Sequence, residues 1–177
     1  MKRKIFFPGS FSPFHDGHYS MVKQLLEFNN SEIEIVMSNK DRDNIKSNIV
    51  FDFVKNIFKS YNNIKVILSD MSPILYVYNN TQNDGIIYSL IRSNKDNDNT
   101  VDYYTKTNNN TEKLNINYKP ISFTSSHNKQ LISATLLRED IQNKNWSAFK
   151  NGYRMMLTDK IISEYKLKKF YKMLTEV

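Results

Sequence analysis

The 177-residue sequence predicts an α/β protein: a parallel sheet of about five strands with helices on both faces. Two observations carry this expectation. Short apolar runs alternate along the chain with stretches whose apolar residues recur at the spacing of one helix face. The runs are also too uniformly apolar to leave a side in water, as befits strands of a parallel sheet covered on both sides.

Taken in order, Lys4–Pro8 reads as a short buried strand that ends in Pro8-Gly9-Ser10. Met21, Val22, Leu25 and Phe28 then share a helical face. Ile33–Met37 is a second strand, and Val50, Phe53, Val54, Ile57, Phe58 and Tyr61 mark a second helix. Lys65–Leu68 is a third strand, Pro73–Tyr78 a short helix opening at proline, and Ile86–Ile91 a fourth, almost wholly apolar strand. Tyr118–Phe123 is a weaker fifth, because Pro120 removes a ladder donor. Helical patterns close the chain at 135–150 and in a C-terminal helix within 159–177, where Ile162, Leu167, Phe170, Tyr171 and Leu174 are the apolar positions. Between them, residues 94–117 turn to Asn, Asp, Thr and Lys without a period and read as a mobile surface segment. No repeat or composition break divides residues 1–177, so a single domain is expected.

Composition narrows the class. An apolar share of 40% and an aromatic share of 13% suffice for a packed core and argue against disorder. No apolar run is long enough to span a bilayer, and Ile5-Phe6-Phe7-Pro8 is too short for a signal-peptide core. With no cysteine there is neither a disulfide framework nor a thiolate metal site, and the cytoplasm is the expected location. A net charge of +7 favours polyanionic partners, without choosing between nucleotides, nucleic acid and phosphorylated metabolites.

In open parallel sheets ligands bind beyond the carboxyl ends of strands, which directs attention to the exit of the first strand. The chain has four glycines and three histidines, and two of each fall within Gly9-Ser10-Phe11-Ser12-Pro13-Phe14-His15-Asp16-Gly17-His18. Gly9 is expected to let the backbone turn and approach a ligand. The helix that follows should offer unpaired N–H groups and a positive dipole end, which suit phosphate. His15 and His18, three apart, can face one side, with Gly17 keeping bulk away. A zinc pair is the alternative. It would need further ligands, and the remaining histidine, His127, is far along the chain.

A second constellation is Ile132-Ser133-Ala134-Thr135-Leu136-Leu137-Arg138. Ser133 or Thr135 can cap the following helix, and their hydroxyls can hold a phosphate beside its free N–H groups. Arg138, one turn on, can bring a planar fork to the leaving pyrophosphate.

The run from Phe7 to His18 resembles the signature of the nucleotidylyltransferase superfamily, and Ile132–Arg138 is similar to its second motif, Ile-Ser-x-Thr followed three residues later by a basic residue. The superfamily includes phosphopantetheine and nicotinamide-mononucleotide adenylyltransferases and the choline- and glycerol-phosphate cytidylyltransferases. Ser12 departs from the pattern, since many members carry Asp there. The resemblance implies a Rossmann-like sheet with the first motif at the exit of the first strand. It assigns nucleotide binding to Gly9, Ser10, Phe11, Gly17, Ile132, Ser133 and Thr135. His18 is then expected at the α-phosphate, His15 at the neighbouring phosphates, and Arg138 at the pyrophosphate. Weaker candidates for acceptor or phosphate contacts are Lys40 and Arg42, after the second strand, and Arg92, after the fourth. Magnesium is expected with the triphosphate rather than on a protein site. The lysines of the C-terminal helix read as a solvated face.

The implied partners are a nucleoside triphosphate and a phosphorylated small molecule, such as a mononucleotide or phosphopantetheine. The ending Ile-Ser-x-Thr-x-x-Arg, without the Arg-Thr-x-Gly element of the cytidylyltransferases, favours ATP over CTP with a phospho-alcohol. The alternative from another class is a non-catalytic nucleotide- or nucleic-acid-binding protein, which the charge and aromatics allow but which leaves the clustered Gly and His unexplained. No membrane association is expected, nucleic acid is disfavoured as a partner, and homo-oligomerisation stays open.

Overall fold

The computed structural model describes residues 2–81, 86–93, 111–116, 121–125 and 128–176. They fall into two compact units, each assembled from separate stretches of chain. The first comprises Met1–Ser10, Met21–Asn39 and Phe58–Tyr118; the second comprises Phe11–Ser20, Lys40–Ile57 and Lys119–Val177.

The first unit is built on a sheet of β1 (Arg3–Gly9), β2 (Ser31–Ser38), β3 (Ile64–Ser69), β4 (Ile87–Ser93) and β5 (Thr111–Ile116), in the order β3-β2-β1-β4-β5. Every neighbouring pair is parallel. This is the doubly wound, Rossmann-like α/β order, in which the winding reverses beside the first strand. The four strands expected first along the chain are all in the sheet. The fifth is not where proline and apolar content pointed. It comes from Thr111–Ile116, inside the stretch read as a mobile surface segment, and pairs Tyr88↔Thr111 through Ser93↔Ile116. Its sequence, Thr-Glu-Lys-Leu-Asn-Ile, is too polar to resemble its partners. Residues 94–110 and 117 of that segment lie outside the described residues. The stretch expected as the fifth strand instead contributes β6 (Ile121–Ser125), which pairs antiparallel with β7 (Asn128–Leu131) in a separate ribbon of the second unit.

Why the central strands sit in the middle follows from their side chains. Ile5, Phe6, Ile33, Ile35, Val36, Met37 and Leu90 are fully buried, and burial of a side chain of this size stabilises by roughly 1.5–3 kcal/mol. The helix α3 (Pro73–Asn79) opens with Pro73 and is capped by Ser72, whose side chain accepts from Leu75 N. It lays Val77, Ile74 and Tyr76 onto Phe6, Val36, Tyr88 and Leu90, with the Phe6 and Tyr88 rings stacked 6.1 Å apart. Glu34 is a buried charged residue on β2. Its carboxylate is paired with Lys4 Nζ at 2.8 Å and accepts from Tyr76 Oη at 3.4 Å, which offsets its desolvation.

The second unit is mostly helical. Two helices run on from it into the first unit along the chain: α1 (Asp16–Leu25) and α2 (Ser47–Phe58). The remaining helices are α4 (Ala134–Gln142), α5 (Trp146–Asn151), α6 (Arg154–Thr158) and α7 (Glu164–Thr175). The single helix expected over 135–150 is thus two, because Lys144 takes a left-handed φ of 52° and Asn145 caps the second, accepting from Ala148 N at 3.1 Å. The C-terminal helix likewise begins only at Glu164, after Lys160 (φ 57°) has broken the path and Ser163 has capped the new start. An aromatic cluster holds these helices together. Phe53 and Phe170 stack face to face with centroids 3.8 Å apart, and Phe149 lies 4.9 Å from both Tyr153 and Tyr171.

One described carboxyl in this unit is raised above its ordinary range. Partial burial, and secondarily the neighbouring Glu139, push Asp140 up to about 6. A carboxyl raised in the folded state binds its proton more tightly there than in the unfolded chain. Stability therefore falls as pH rises from the unfolded carboxyl's ~3.9 to the folded value near 6, and stays lower above it. Asp140→Asn removes that dependence. Compared with the parent, the variant should gain in thermal midpoint at pH 7.5 and lose that gain at pH 4. An equal difference at both pH values would show that Asp140 carries no such penalty.

Candidate active site

β1 lies between β2 and β4, so its carboxyl end is at the switch point where doubly wound sheets take ligands. Gly9 is still in register there, opposite Met37. The reversal expected at Gly9 falls instead at Phe11, whose φ is 49°, and at a cis Ser12–Pro13 peptide. Gly9 and Ser10 end the first unit, and every contact described below, the β4 pairing of Arg92 apart, lies within the second. Phe11 is held in its left-handed conformation by burial. Its ring meets the His18 ring edge-on at 4.9 Å, and the Phe14 ring lies 5.3 Å from His18. His18 is thereby set against two aromatic side chains while remaining partly exposed.

His15 and His18 do face one side, as their spacing requires, with ring centroids 4.0 Å apart. The two histidines also close the helix start. The His15 carbonyl accepts the first helical bond from Tyr19 N at 3.0 Å, and its Nδ1 accepts from Gly17 N at 3.0 Å. His18 Nδ1 reaches back to accept from His15 N at 3.3 Å. This is the reciprocal pattern of a capping box, made by two imidazoles in place of the usual hydroxyl and carboxamide. Asp16 N donates to Gly152 O at 2.9 Å. The N–H groups of Asp16 and Gly17 are therefore engaged, which corrects the expectation that the helix start leaves them to phosphate.

A ring nitrogen that accepts a hydrogen bond carries no proton, so each neutral histidine is protonated at Nε2. Both rings are thus fixed as Nε2–H donors, the form suited to a phosphate oxygen. ¹⁵N correlation spectra at neutral pH should show the Nε2–H tautomer for both His15 and His18. A protonated Nδ1 in either neutral ring would refute the capping arrangement.

Asp16 does other work than the neighbouring histidines. It is buried, and its carboxylate accepts from Met155 N at 2.7 Å and Met156 N at 3.2 Å, at the start of α6. That helix has no capping side chain of its own, so a residue of the first motif supplies the cap across 139 positions of sequence. Tyr19 Oη adds a bond to Asp159 Oδ2 at 2.9 Å. Nothing in the spacing of residues around Asp16 announces this partner.

In the second motif Ser133, not Thr135, caps α4, accepting from Leu136 N at 3.3 Å. Ile132 is buried beside it. Thr135 serves Arg138 instead, accepting from Nη2 at 3.2 Å. Arg138 Nη1 donates to Ser12 O at 2.7 Å, joining the two motifs directly across 126 positions of sequence. Its Nε is 2.8 Å from Asp43 Oδ2. Gly152 closes against the same helix: a Cβ there would come within 2.7 Å of a Leu137 methyl.

Of the weaker candidates, Lys40 and Arg42 are exposed in the loop after β2, in the same unit as His15, His18 and Arg138. Arg42 Nε lies 4.0 Å from Asp43. Arg92 is on β4, paired with Asn115. His127 lies outside the described residues. The loop also holds two acids that sequence reasoning passed over, Asp41 and Asp43. The Asp41 carboxylate accepts from Ser47 N at 2.9 Å at the start of α2, and this bond, with the Lys46 ammonium, holds it below the usual carboxylate range. The signal for Asp43 was available in Asp43-Asn44, a pair that favours left-handed turn positions.

A doubly wound sheet whose first strand leads into a histidine pair tied to a Ser/Thr/Arg helix start defines a nucleotide-handling α/β enzyme. The family model described as cytidylyltransferase-like matches residues 6–140, and the chain belongs to this family of nucleotidylyltransferases. It is similar to the phosphopantetheine adenylyltransferase of Mycoplasma mycoides subsp. mycoides, with 31% identity over 144 residues, or 78% of this chain and 96% of that protein. The protein of the same name from Mycoplasma capricolum is 26% identical over 136 residues, covering 75% and 92%. That from Borrelia duttonii is 25% identical over 146 residues, covering 82% and 86%. Among the described residues, no helix is long and apolar enough to cross a membrane.

Proposed function

We propose that the enzyme transfers AMP from ATP to the phosphate of phosphopantetheine, releasing pyrophosphate. The observation that carries the reading is the bond from Arg138 Nη1 to Ser12 O, which brings the basic residue of the second motif to the loop that presents the two histidines. ATP as donor is supported by the Ile132–Arg138 pattern, which lacks the Arg-Thr-x-Gly element of cytidylyltransferases. The acceptor is supported by the names of the three relatives, each matched over most of its length.

In this mechanism an oxygen of the acceptor phosphate attacks the α-phosphorus, and the bond to the bridging oxygen of pyrophosphate breaks on the opposite side. The acceptor is largely ionised near pH 7, so no general base is needed, and catalysis lies in positioning and charge stabilisation. His18 donates from Nε2 to the α-phosphate, His15 to the adjacent phosphate, and Arg138 steadies the departing pyrophosphate. Phe11 and Gly17 belong to the first stretch of the nucleotide site, and Ile132, Ser133 and Thr135 to the second. Lys40 and Arg42 supply positive charge toward the acceptor. Magnesium enters as part of the substrate, magnesium–ATP, and neutralises phosphate charge. Among the described residues no group of three or more His, Asp or Glu is placed to hold a metal ion.

The test is pyrophosphate release with magnesium, crossing ATP and CTP against phosphopantetheine, nicotinamide mononucleotide and a phospho-alcohol. Release with ATP that depends on phosphopantetheine is expected. Release that requires CTP, or another acceptor, would reassign the substrates. Binding of oligonucleotides without turnover would support the non-catalytic alternative.

A further inference from the structure

Arg138 is a buried cation: its side chain is 8% exposed, and its carboxylate partner is Asp43, with Nε to Oδ2 at 2.8 Å. A guanidinium has five N–H donors. Asp43, Ser12 O and Thr135 Oγ1 take three of them, one on each nitrogen. Each terminal nitrogen keeps one N–H, so two donors remain for phosphate oxygens.

Asp43 is presented by a turn that is itself held firmly. Asp43 and Asn44 have φ of 49° and 65°, the two left-handed positions of a type I′ turn. Arg42 and Ile45 close it with Ile45 N to Arg42 O at 2.8 Å and Arg42 N to Ile45 O at 3.1 Å. One residue before the turn, Asp41 ties the loop to α2 through Ser47. Successive left-handed non-glycine residues cost energy and persist where surroundings fix them, often at sites of function. Asp43 is also 53% exposed. Solvent screens its charge, so the pair orients the guanidinium without cancelling its positive field.

We propose that Asp43 is the positioning residue for Arg138: by holding Nε, it keeps the two terminal N–H groups aimed for the pyrophosphate of the triphosphate. It touches no reacting atom and acts through the arginine. The inference rests on the nucleotidyl-transfer reading above.

The test is a double-mutant cycle in kcat and KM for magnesium–ATP, with thermal midpoints measured alongside and ATP binding followed by calorimetry. Asp43→Ala should lower kcat/KM about tenfold in the parent, but less than about twofold when Arg138 is already alanine. Asp43→Asn, which keeps an acceptor oxygen at the same reach, should restore most of the loss. Equal losses in both backgrounds would assign Asp43 to the turn's structure alone and overturn the proposal, as would an unchanged kcat/KM in Asp43→Ala beside an active parent. A folded parent that neither binds ATP nor releases pyrophosphate would overturn the functional reading, and this inference with it.

Discussion

Replacing His18 by alanine is expected to lower acceptor-dependent pyrophosphate release by about 10²–10³-fold, the usual cost of losing one donor that acts on charge in the transition state. The expectation rests on geometry. Phe11 and Phe14 bracket the ring, and Nδ1 is committed to His15 N, which leaves Nε2–H as the donor. Alanine also removes the back-bond of the capping box, a loss of about 1 kcal/mol, so some fall in thermal midpoint accompanies the loss of rate. His18→Gln separates the two effects, because glutamine at this helix position can restore the bond to His15 N but not the imidazole donor. The glutamine variant should regain stability and remain as slow as alanine. If it turns over within about threefold of the parent, the role assigned to His18 is wrong.

How far such a site can be read from sequence depends on the range of its contacts. The histidine pair was legible because residues three apart at a helix start must share a side, and the structure brings their rings to 4.0 Å. The central strands were legible because burial on both sides leaves no freedom in composition. The strand Thr111–Ile116 was not, since its polar residues give neither an apolar run nor a helical period, and only its partner β4 fixes it. Ser133 capping α4 follows a local rule. Thr135 meeting Arg138 is likewise an i,i+3 contact on α4, whereas Arg138 reaching Ser12 depends on tertiary packing that no spacing encodes. The same limit misplaced the phosphate-binding N–H groups. A helix start does leave donors unpaired, but here the histidines themselves and Gly152 O take those of Gly17 and Asp16.

Asp16→Ala should destabilise the protein by about 3–5 kcal/mol, since it removes two charge-assisted hydrogen bonds and strands the part-buried N–H of Met155 and the buried N–H of Met156. Against a stability of roughly 5–15 kcal/mol this is a large fraction, and for a chain of this length it lowers the thermal midpoint by about 10 °C. Asp16 lies between the two histidines, so a loss of activity in this variant would invite a catalytic interpretation. The geometry argues otherwise. Both carboxylate oxygens already accept from the backbone at the start of α6, so neither is disposed to take a proton from substrate. Asp16→Asn distinguishes the two interpretations. It keeps one acceptor oxygen, and should cost about half as much stability while sparing kcat at a temperature where the protein stays folded. Loss of kcat in the asparagine variant with its midpoint unchanged would mean that the carboxylate acts in the chemistry. A lowered midpoint with kcat retained would make Asp16 the clasp that holds the histidine-bearing turn to α6.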